Sequence, residues 1–540
     1  MLTWRSLVAF WLVVSLGGAG CASPTEMHAD GPIVDKKLAA LVRHPCEDGF
    51  EDVYERPDDL AQGDQGDQDD QDDRDDQGDK SDKSDKSDKD KQNLKDRRGE
   101  IVRCARGDAI STDALRAALE EAGFVDVDVK SPVQLYRVMY RTRRASSEAD
   151  VSSALVVVPS AKVQSAKVQK DGAYSLRSNS DDEGEGVGPM VVYGHGTSPY
   201  RQDCGVSRSD PLTATFLGEP DRELRTVLAL AAQGWPVIMP DYAGFVEGSS
   251  VTGYMFAEDE AYSVLDATRA LHELLDQAPE QAVLVGHSQG GHAVLSAQAY
   301  AKHYGSAGEL AGVVAFAPFW APARAFGVII WPDSGYTTDD PTGAGGYALN
   351  TAVEYFYTHA ELIDGPGHGQ QILGLNIHDL IGSPGAECNY FPDLTPYGIT
   401  GQDLFIDAFA AVGVCAATGQ ACDEPLAQTW SARFQEDRPA LDPKGAPVLL
   451  WQGAQDTVVP LSIAGCGIDK IGADFAVPQA SATFKLCADA NAEHELVESN
   501  NAAHVISWIN SRVFGAGEPS QACGEQSLLE GLDCFIGNHD

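Results

Sequence analysis

Short apolar segments rich in β-branched residues alternate along this chain with longer helical patterns. This alternation is typical of a parallel sheet whose crossover helices cover both faces. Segments such as AVLV and PVLLW are apolar at every position, which fits strands that are buried on both sides. The sequence therefore predicts an α/β fold with a mainly parallel central sheet. The predicted strands are 153–158, 190–193, 236–239, 282–285, 312–316 and 447–451, and the predicted helices are 222–233, 258–276 and 291–303.

Several segments interrupt this alternation and suggest a domain organisation. Residues 58–98 are near repeats of Asp, Gln, Gly, Lys and Ser, which predicts a disordered acidic insert because too little apolar surface is available to offset chain entropy. The Gly-, Pro- and aromatic-rich block 320–444 predicts a cap inserted between two core strands. The other predicted segments are an N-terminal segment 22–57, a core in two parts 99–319 and 445–515, a polar insert 160–188 within the first part, and a Cys-containing tail 516–540.

The N-terminus predicts export. Residues 1–21 combine a short charged start, an apolar run and small residues before Cys21, as in a signal peptide. The small residues before Cys21 resemble a lipoprotein signal, so Cys21 is a candidate for acylation and membrane attachment, with ordinary cleavage after Ala22 as the alternative. We expect an extracytoplasmic protein, either a lipoprotein of the outer membrane or cell surface or a secreted protein.

Cysteine content and net charge limit the kinds of function that this chain can have. Of 11 cysteines, ten remain without Cys21, and an even number suits disulfides in an oxidising compartment. No CxxC pairing or EF-hand loop is present, so the sequence predicts neither metal nor cofactor. A net charge of −42 argues against nucleic acid as a partner. The shortest loops would be closed by Cys415–Cys422, Cys466–Cys487 and Cys523–Cys534, and a Cys46–Cys104 disulfide would make the acidic insert an extruded loop.

The segment Gly286-His-Ser288-Gln-Gly290 carries the strongest chemical signal. It is a G-x-S-x-G pattern placed between a predicted strand and a predicted helix, which is typical of a nucleophile elbow. Gly286 and Gly290 would let strand and helix approach closely, while Ser288 projects above the carboxyl end of the sheet. The amide of Gln289, at the helix start, would then point towards a developing oxyanion. The alternative is a plain glycine-rich turn.

A serine hydroxyl needs a general base, and in this type of site the chain order is Ser, acid, His. Asp456 lies in a loop after the strand 447–451 and is the predicted acid. His494 precedes a helical run and is the predicted base, with His504, inside that run, as the alternative. Asp241 also follows a strand, but it precedes the serine and is the second choice of acid.

The second oxyanion donor is expected after the strand 190–193, where an HG-type turn occurs. The amide of Gly196 or that of Thr197 would donate, and His195 is interpreted as a turn-stabilising residue. His359, His368 and His378 in the cap have no metal-like pairing, and they are interpreted as ordinary polar residues.

These motifs together resemble the secretory lipase family of α/β-hydrolases over about residues 99 to 515. The resemblance rests on YGHGT from Tyr193, GWPVIMPDYAGFVEGS from Gly234, VLDATRAL from Val264, GHSQGG from Gly286, QGAQDTVVP from Gln452 and SWINSRVFG from Ser507. It implies an α/β-hydrolase fold with a lid-like insertion, lipase or esterase activity, and Ser288, Asp456 and His494 as the catalytic triad.

The hypothesis is therefore an exported carboxylic-ester hydrolase that acts on a small-molecule or lipid ester through an acyl-enzyme, without a cofactor. Two alternatives stay open. The same triad and fold also cut peptides, so an exported serine peptidase is the second enzyme hypothesis, although no propeller-like repeat precedes the core as in oligopeptidases. A lipid-anchored binding protein that has lost activity is the alternative from outside the enzymes.

Overall fold

A computed structural model of the chain describes most of its length. The described residues are 42–61, 97–160, 167–168, 174–175, 188–199, 201–216, 218–331, 336–337, 344–374, 388, 393–394, 396, 400–418, 423–517, 519 and 523. The predicted signal segment with Cys21 and most of the predicted acidic insert lie outside these residues, so both stay predictions.

A nine-stranded sheet forms the centre of the fold. Its strands are β1 Ile101–Ile110, β2 Val133–Arg143, β3 Ala149–Pro159, β4 Met190–Gly194, β5 Val237–Ala243, β6 Gln281–His287, β7 Glu309–Phe316, β8 Val448–Gly453 and β9 Phe484–Asp489. They are arranged in the order β1-β2-β3-β5-β4-β6-β7-β8-β9. The six strands from β5 to β9 in this order are parallel, and β1, β2 and β3 extend the sheet by antiparallel pairing. Because parallel strands point the same way, the loops that follow β4, β6, β8 and β9 meet at one edge.

Helices cover both faces of this sheet. The longer ones are α1 Thr112–Glu121, α2 Arg222–Ala231, α3 Ala257–Leu274, α4 Gln289–Tyr304, α5 Pro322–Ile330, α6 Ala344–Ile363, α7 Phe409–Thr418, α8 Pro425–Glu436, α9 Leu461–Phe475 and α10 Val497–Phe514. Short helical turns occupy Glu51–Tyr54, Asp58–Ala61, Val206–Arg208, His368–Ile372, Gly401–Leu404 and His494–Leu496. The predicted fold class, a mainly parallel sheet with helices on both sides, is confirmed.

Alternate residues of each central strand enter two separate cores. Leu284 of β6 packs in the core beneath α3 and α4, whereas its neighbours Val283 and Val285 pack in the core beneath α2 and α10. All three side chains are fully buried. Burial on both faces explains why these strands are apolar at every position.

The six predicted strands all occur, but three further strands were not predicted from the sequence. β1 and β2 carry arginines and glutamine among their apolar residues, and β9 has a lysine and a terminal aspartate. Gln134 and Arg137 of β2 are nevertheless buried, because side chains and carbonyls from other segments bind their polar groups. Such tertiary compensation leaves no local pattern in the sequence.

The segment predicted as a cap lies between β7 and β8 and contributes α5 to α8 among its described elements. Its interior is an aromatic cluster in which Phe356 makes edge-to-face contacts with Phe405, Phe409 and Trp430. Aromatic pairs of this geometry add to the stabilisation from burial alone.

Both predicted inserts have described residues. Asp59, in the helical turn at the start of the acidic insert, pairs with Arg141 of β2 at 2.8 Å and with Arg97 at 3.4 Å. The two ends of the segment 58–98 are thus bonded to each other and to the sheet, which the prediction of a disordered segment from Asp58 onward did not foresee. In the insert 160–188, strands Lys167–Val168 and Tyr174–Ser175 pair antiparallel.

Three disulfides are seen among the described residues, joining Cys46 to Cys104, Cys204 to Cys388 and Cys487 to Cys523. The first confirms the predicted closure of the acidic insert. The third shows that the Cys466–Cys487 and Cys523–Cys534 pairs were wrong. Cys523 lies beside Cys487 of β9, so a tertiary contact, rather than short spacing, decides the pairing. Cys415 is also disulfide-bonded, but Cys422 lies outside the described residues.

Disulfides are typical of secreted and extracellular proteins, so their presence supports the predicted extracellular location. Among the described residues, the structure has no helix with the length and apolar character needed to cross a membrane.

Candidate active site

Ser288 lies at the sharp turn between β6 and α4. Its backbone φ is +54° and ψ is −117°, a conformation that residues other than glycine rarely adopt. The neighbouring chain holds it there, because the Ser288 amide donates to the Phe316 carbonyl at 2.9 Å and its own carbonyl accepts from the His292 amide at 3.1 Å. The turn has the conformation expected of a nucleophile elbow.

The glycines on either side of Ser288 are required by close backbone contacts. A Cβ added to Gly286 would lie 2.2 Å from the carbonyl oxygen of Gly290. A Cβ added to Gly290 would lie 1.9 Å from the carbonyl oxygen of Gly194 in β4. The second contact joins the elbow to the neighbouring strand, so a side chain there would push two parts of the sheet apart.

We expect Gly290→Ala to lower the free energy of unfolding by more than about 3 kcal/mol, because rigid backbone cannot move away from the added methyl group. Chemical denaturation would measure the change. Gly472→Ala in α9 is the matched control, since nothing lies within 4 Å of its added Cβ, and it should be neutral or stabilising by up to about 1 kcal/mol. Equal stability of the Gly290→Ala variant and the wild type would contradict this interpretation of the elbow.

Asp456 and His494 form a buried pair. The Asp456 Oδ2 atom lies 2.7 Å from the His494 Nδ1 atom, and both side chains are almost fully buried. The other carboxylate oxygen of Asp456 accepts from the amides of Val458 and Val459 at 2.9 and 2.7 Å. These amides fix the carboxylate, so the His494 ring is held with Nδ1–H towards it. The Nε2 atom of His494 is buried and has no partner among the described residues, and both His494 and Ser288 line one cavity.

Neither alternative residue lies in this arrangement. Asp241 is fully buried, accepts from the Ser153 hydroxyl at 2.6 Å and the Ser207 amide at 2.7 Å, and packs beside Gly205. His504, in α10, packs edge-to-face on Trp451 of β8. Burial lowers the pKa of the His504 imidazole to about 4. Asp241 therefore connects segments of the fold, and His504 is a neutral core residue.

The comparisons with known proteins place this geometry in a family context. Residues 215–320, which include the elbow, match the secretory lipase family. A candidate hydrolase from Legionella pneumophila superposes with a TM-score of 0.56 and 17% identity, covering 76% of this chain and 98% of that one. Candida antarctica lipase A superposes with a TM-score of 0.51 and 17% identity, covering 81% and 90%. No match was found among curated proteins.

The chain has the fold of the α/β-hydrolases. The fold likeness and the match across residues 215–320 confirm the resemblance to the secretory lipase family that the motifs predicted.

The turn that follows β4 is held by a carboxylate. The Gly196 amide donates to both oxygens of Glu223, at 2.9 and 2.8 Å, so it is not directed at the cavity as an oxyanion donor would be. The Thr197 amide makes no hydrogen bond to the described residues, and the Thr197 hydroxyl lies 2.9 Å from the Tyr254 hydroxyl. Of the two predicted donors, Thr197 is the one left available.

His195 stabilises the same turn, as predicted. Its Nδ1 atom lies 2.6 Å from the Gly196 carbonyl oxygen, and its ring packs on Tyr242 with centroids 4.6 Å apart. In the cap, His359 is fully buried and bonds to Asp437 at 2.8 Å, so it is more than an ordinary polar residue. His368 is exposed, and His378 lies outside the described residues.

Ser288 borders two spaces of different character. The larger is a cavity of about 240 Å³ whose walls include the charged residues Asp203, Arg208, Arg222 and Glu495. The smaller is an apolar pocket of about 20 Å³, lined by residues that include Phe319, Ala325, Ile329, Val458, Val459 and Ile463. Thr197 and Tyr347 border both spaces, so they lie with Ser288 where the two meet.

Sequence reasoning missed a buried network behind the elbow. Glu260 accepts from the Gln289 side chain at 2.7 Å and bonds to His292 at 2.6 Å. The other ring nitrogen of His292 lies 2.6 Å from the Asp437 carbonyl oxygen at the end of α8. The first turn of α4 is thereby tied to the cap, through residues whose sequence spacing carries no recognisable signal.

Four groups of possible metal ligands occur among the described residues, and three of them contain both cysteines of a disulfide. The fourth is Glu223, His287 and Glu498, whose ligand atoms lie within 4.8 Å of one another. His287 uses both ring nitrogens in hydrogen bonds to protein atoms, which leaves neither for a metal. Burial raises the pKa of Glu498 to about 7, and its Oε1 atom accepts from the Tyr193 hydroxyl at 2.5 Å.

Proposed function

We propose that this α/β-hydrolase is a carboxylic-ester hydrolase of the lipase and esterase type, with Ser288 as nucleophile, His494 as general base and Asp456 orienting that base. The observation that carries the proposal is the 2.7 Å Asp456–His494 pair. The Nε2 atom of His494 has no partner among the described residues, and His494 lines the same cavity as Ser288 on its strained turn. Apo sites often leave the serine–histidine hydrogen bond to form with substrate.

The reaction proceeds in two acyl-transfer steps. The Ser288 Oγ atom attacks the ester carbonyl carbon while His494 Nε2 takes the hydroxyl proton. The tetrahedral intermediate places its negative oxygen near the amides of Gln289 and Thr197, which would stabilise it, and it then collapses as His494 returns the proton to the leaving alcohol. Water, deprotonated by His494, then hydrolyses the acyl-Ser288 ester and restores the serine.

The two spaces beside Ser288 suit the two halves of an ester. The apolar pocket has no charged side chain among its lining residues, so it is the better place for an acyl chain. The charged walls of the larger cavity suit a polar alcohol moiety and water. The small volume of the apolar pocket favours short acyl groups.

We expect the purified mature protein to hydrolyse p-nitrophenyl acetate and butyrate with a higher kcat/KM than the laurate and palmitate esters, because only short chains fit the apolar pocket. Ile329→Ala should shift the optimum to longer chains, since Ile329 lines this pocket. Ile330→Ala is a matched control: Ile330 is the next residue of α5 and equally buried but does not line it.

Failure to hydrolyse any ester of the series would refute the proposed function. If the Ile329→Ala variant hydrolyses the esters with an unchanged chain-length optimum, the proposed ester hydrolase activity stands. The acyl chain would then have to bind in the larger cavity. Peptide p-nitroanilides, tested beside the esters, separate an esterase from a peptidase of the same fold.

A further inference from the structure

The carboxylate of Glu223 connects three segments that border Ser288. It lies in the first turn of α2, accepts from the Gly196 amide and lies 2.8 Å from Nδ1 of His287, the residue before the serine. The other ring nitrogen of His287 lies 3.1 Å from the main-chain oxygen of His494. One side chain is therefore bonded to the turn after β4 and, through His287, to the segment that carries the base.

Gly196 and Glu223 are packed tightly against each other. A Cβ added to Gly196 would lie 2.4 Å from Glu223 Oε1 and 3.5 Å from the Ser288 Cβ. Only glycine at this position lets the carboxylate reach the amide beside the serine. The rings of His287 and His494 are also in contact, with centroids 4.5 Å apart.

The hydrogen bonds constrain where protons lie. Nε2 of His287 faces a carbonyl oxygen, so it carries a hydrogen and donates. Nδ1 faces Glu223 Oε1, so one hydrogen lies between these two atoms. Whichever atom holds that hydrogen, the pair has no net charge. Burial, with Asp221 and Glu495 nearby, raises the pKa of Glu223 well above its usual value, which favours such a shared proton.

We propose that Glu223 and His287 are positioning residues that hold the Thr197 amide and the His494 ring in the geometry the reaction of Ser288 requires. By accepting from Gly196, Glu223 fixes the peptide that precedes the Thr197 amide. By donating to the His494 carbonyl, His287 fixes the main chain from which the base projects. Their contribution lies in geometry, because loops set slightly out of place lose much of the rate of a preorganised site.

A glutamine at position 223 provides the decisive comparison. Its Nε2 atom would donate to His287 Nδ1, and its Oε1 atom would accept from the Gly196 amide, so both contacts survive without a carboxylate. If Glu223 acts by position, Glu223→Gln should retain kcat within about fivefold of the wild type, the effect of one altered hydrogen bond. Glu223→Ala should lower kcat about 100-fold, with a smaller change in KM, because the turn and the base both lose their support.

The experiment measures kcat and KM on p-nitrophenyl butyrate for the full mature protein and its Glu223→Ala, Glu223→Gln and His287→Ala variants, with melting temperatures for each. Glu120→Ala, on the exposed face of α1, is the control for loss of an acid elsewhere. The double variant Glu223→Ala/His287→Ala should lose no more than the worse single variant, since the two residues act as one unit.

Two outcomes would overturn the inference. A Glu223→Ala variant with wild-type kcat would show that the contacts do not matter. A Glu223→Gln variant as slow as Glu223→Ala would show that the reaction needs the carboxylate itself and not only the contacts that it makes. If Glu223→Ala does not fold, His287→Ala decides instead, because wild-type kcat in that variant would equally show that the contacts do not matter. The inference rests on the proposed function. Its failure appears as an active wild type with unaffected variants, whereas failure of the proposed function appears as an inactive wild type.

Discussion

Ser288→Ala is expected to lower kcat for ester hydrolysis by a factor on the order of 10⁶. The reason is that no other hydroxyl occupies the elbow from which the acyl-enzyme would form, so only binding and oxyanion stabilisation remain. The substitution removes one oxygen from a side chain that donates no hydrogen bond among the described contacts of the fold. Stability should therefore be unchanged, and melting temperature checks this.

Covalent labelling provides an independent measurement of the same prediction. A p-nitrophenyl phosphonate should attach to Ser288 in the wild type, and peptide mass spectrometry should locate it there. His494→Ala should abolish labelling, whereas His504→Leu should retain it, because His504 lies in an apolar environment against Trp451. Labelling of another serine, or full activity in the Ser288→Ala variant, would refute the assignment of the nucleophile.

Asp456→Asn is expected to lower kcat about 10⁴-fold while the protein stays folded. The amide oxygen can still accept from the Val458 and Val459 amides. Its NH₂ group would face His494 Nδ1, however, and would favour the tautomer in which Nε2 carries the hydrogen. That tautomer cannot take the proton of Ser288, so the loss should appear in kcat more than in KM.

Asp241→Asn is the control for this prediction, because Asp241 was the alternative acid. Its hydroxyl partners, Ser153 and Ser207, can reverse their hydrogen bonds to suit an amide. The variant should keep its kcat if it folds. If Asp241→Asn were inactive and Asp456→Asn active, the acid would have to be reassigned.

Much of the site was predictable because its signals are local or ordered along the chain. The elbow needs a serine between two glycines at a strand-to-helix junction, and all of these lie within a few residues of one another. Asp456 and His494 are 38 residues apart. Their order after the serine singled them out, together with the place of Asp456 after a predicted strand and of His494 before a predicted helix. The two histidine candidates remained separable only by their positions relative to a helix.

The position of Glu223 and the pairing of Cys204 with Cys388 and of Cys487 with Cys523 were not predictable in this way. Glu223 is 64 residues from His287, and Glu260 is 32 from His292, and neither pair has a spacing that distinguishes it from surface acids. Cys487 bonds to Cys523 rather than to Cys466, which is nearer in sequence, because the fold places Cys523 beside β9. The sequence also predicted the Gly196 amide as an oxyanion donor, but in the structure this amide donates to Glu223.

The sequence by itself determined the α/β architecture, the elbow and the chain order of the three candidate catalytic residues, since hydrophobic periodicity and glycine spacing act over short distances. Tertiary structure alone decided which carboxylate meets which ring, which backbone amide is left available near Ser288, and which cysteines pair. Those outcomes depend on hydrogen bonds and close packing between segments that are far apart in the chain, and the free energy of such contacts is set only when the sheet brings the segments together.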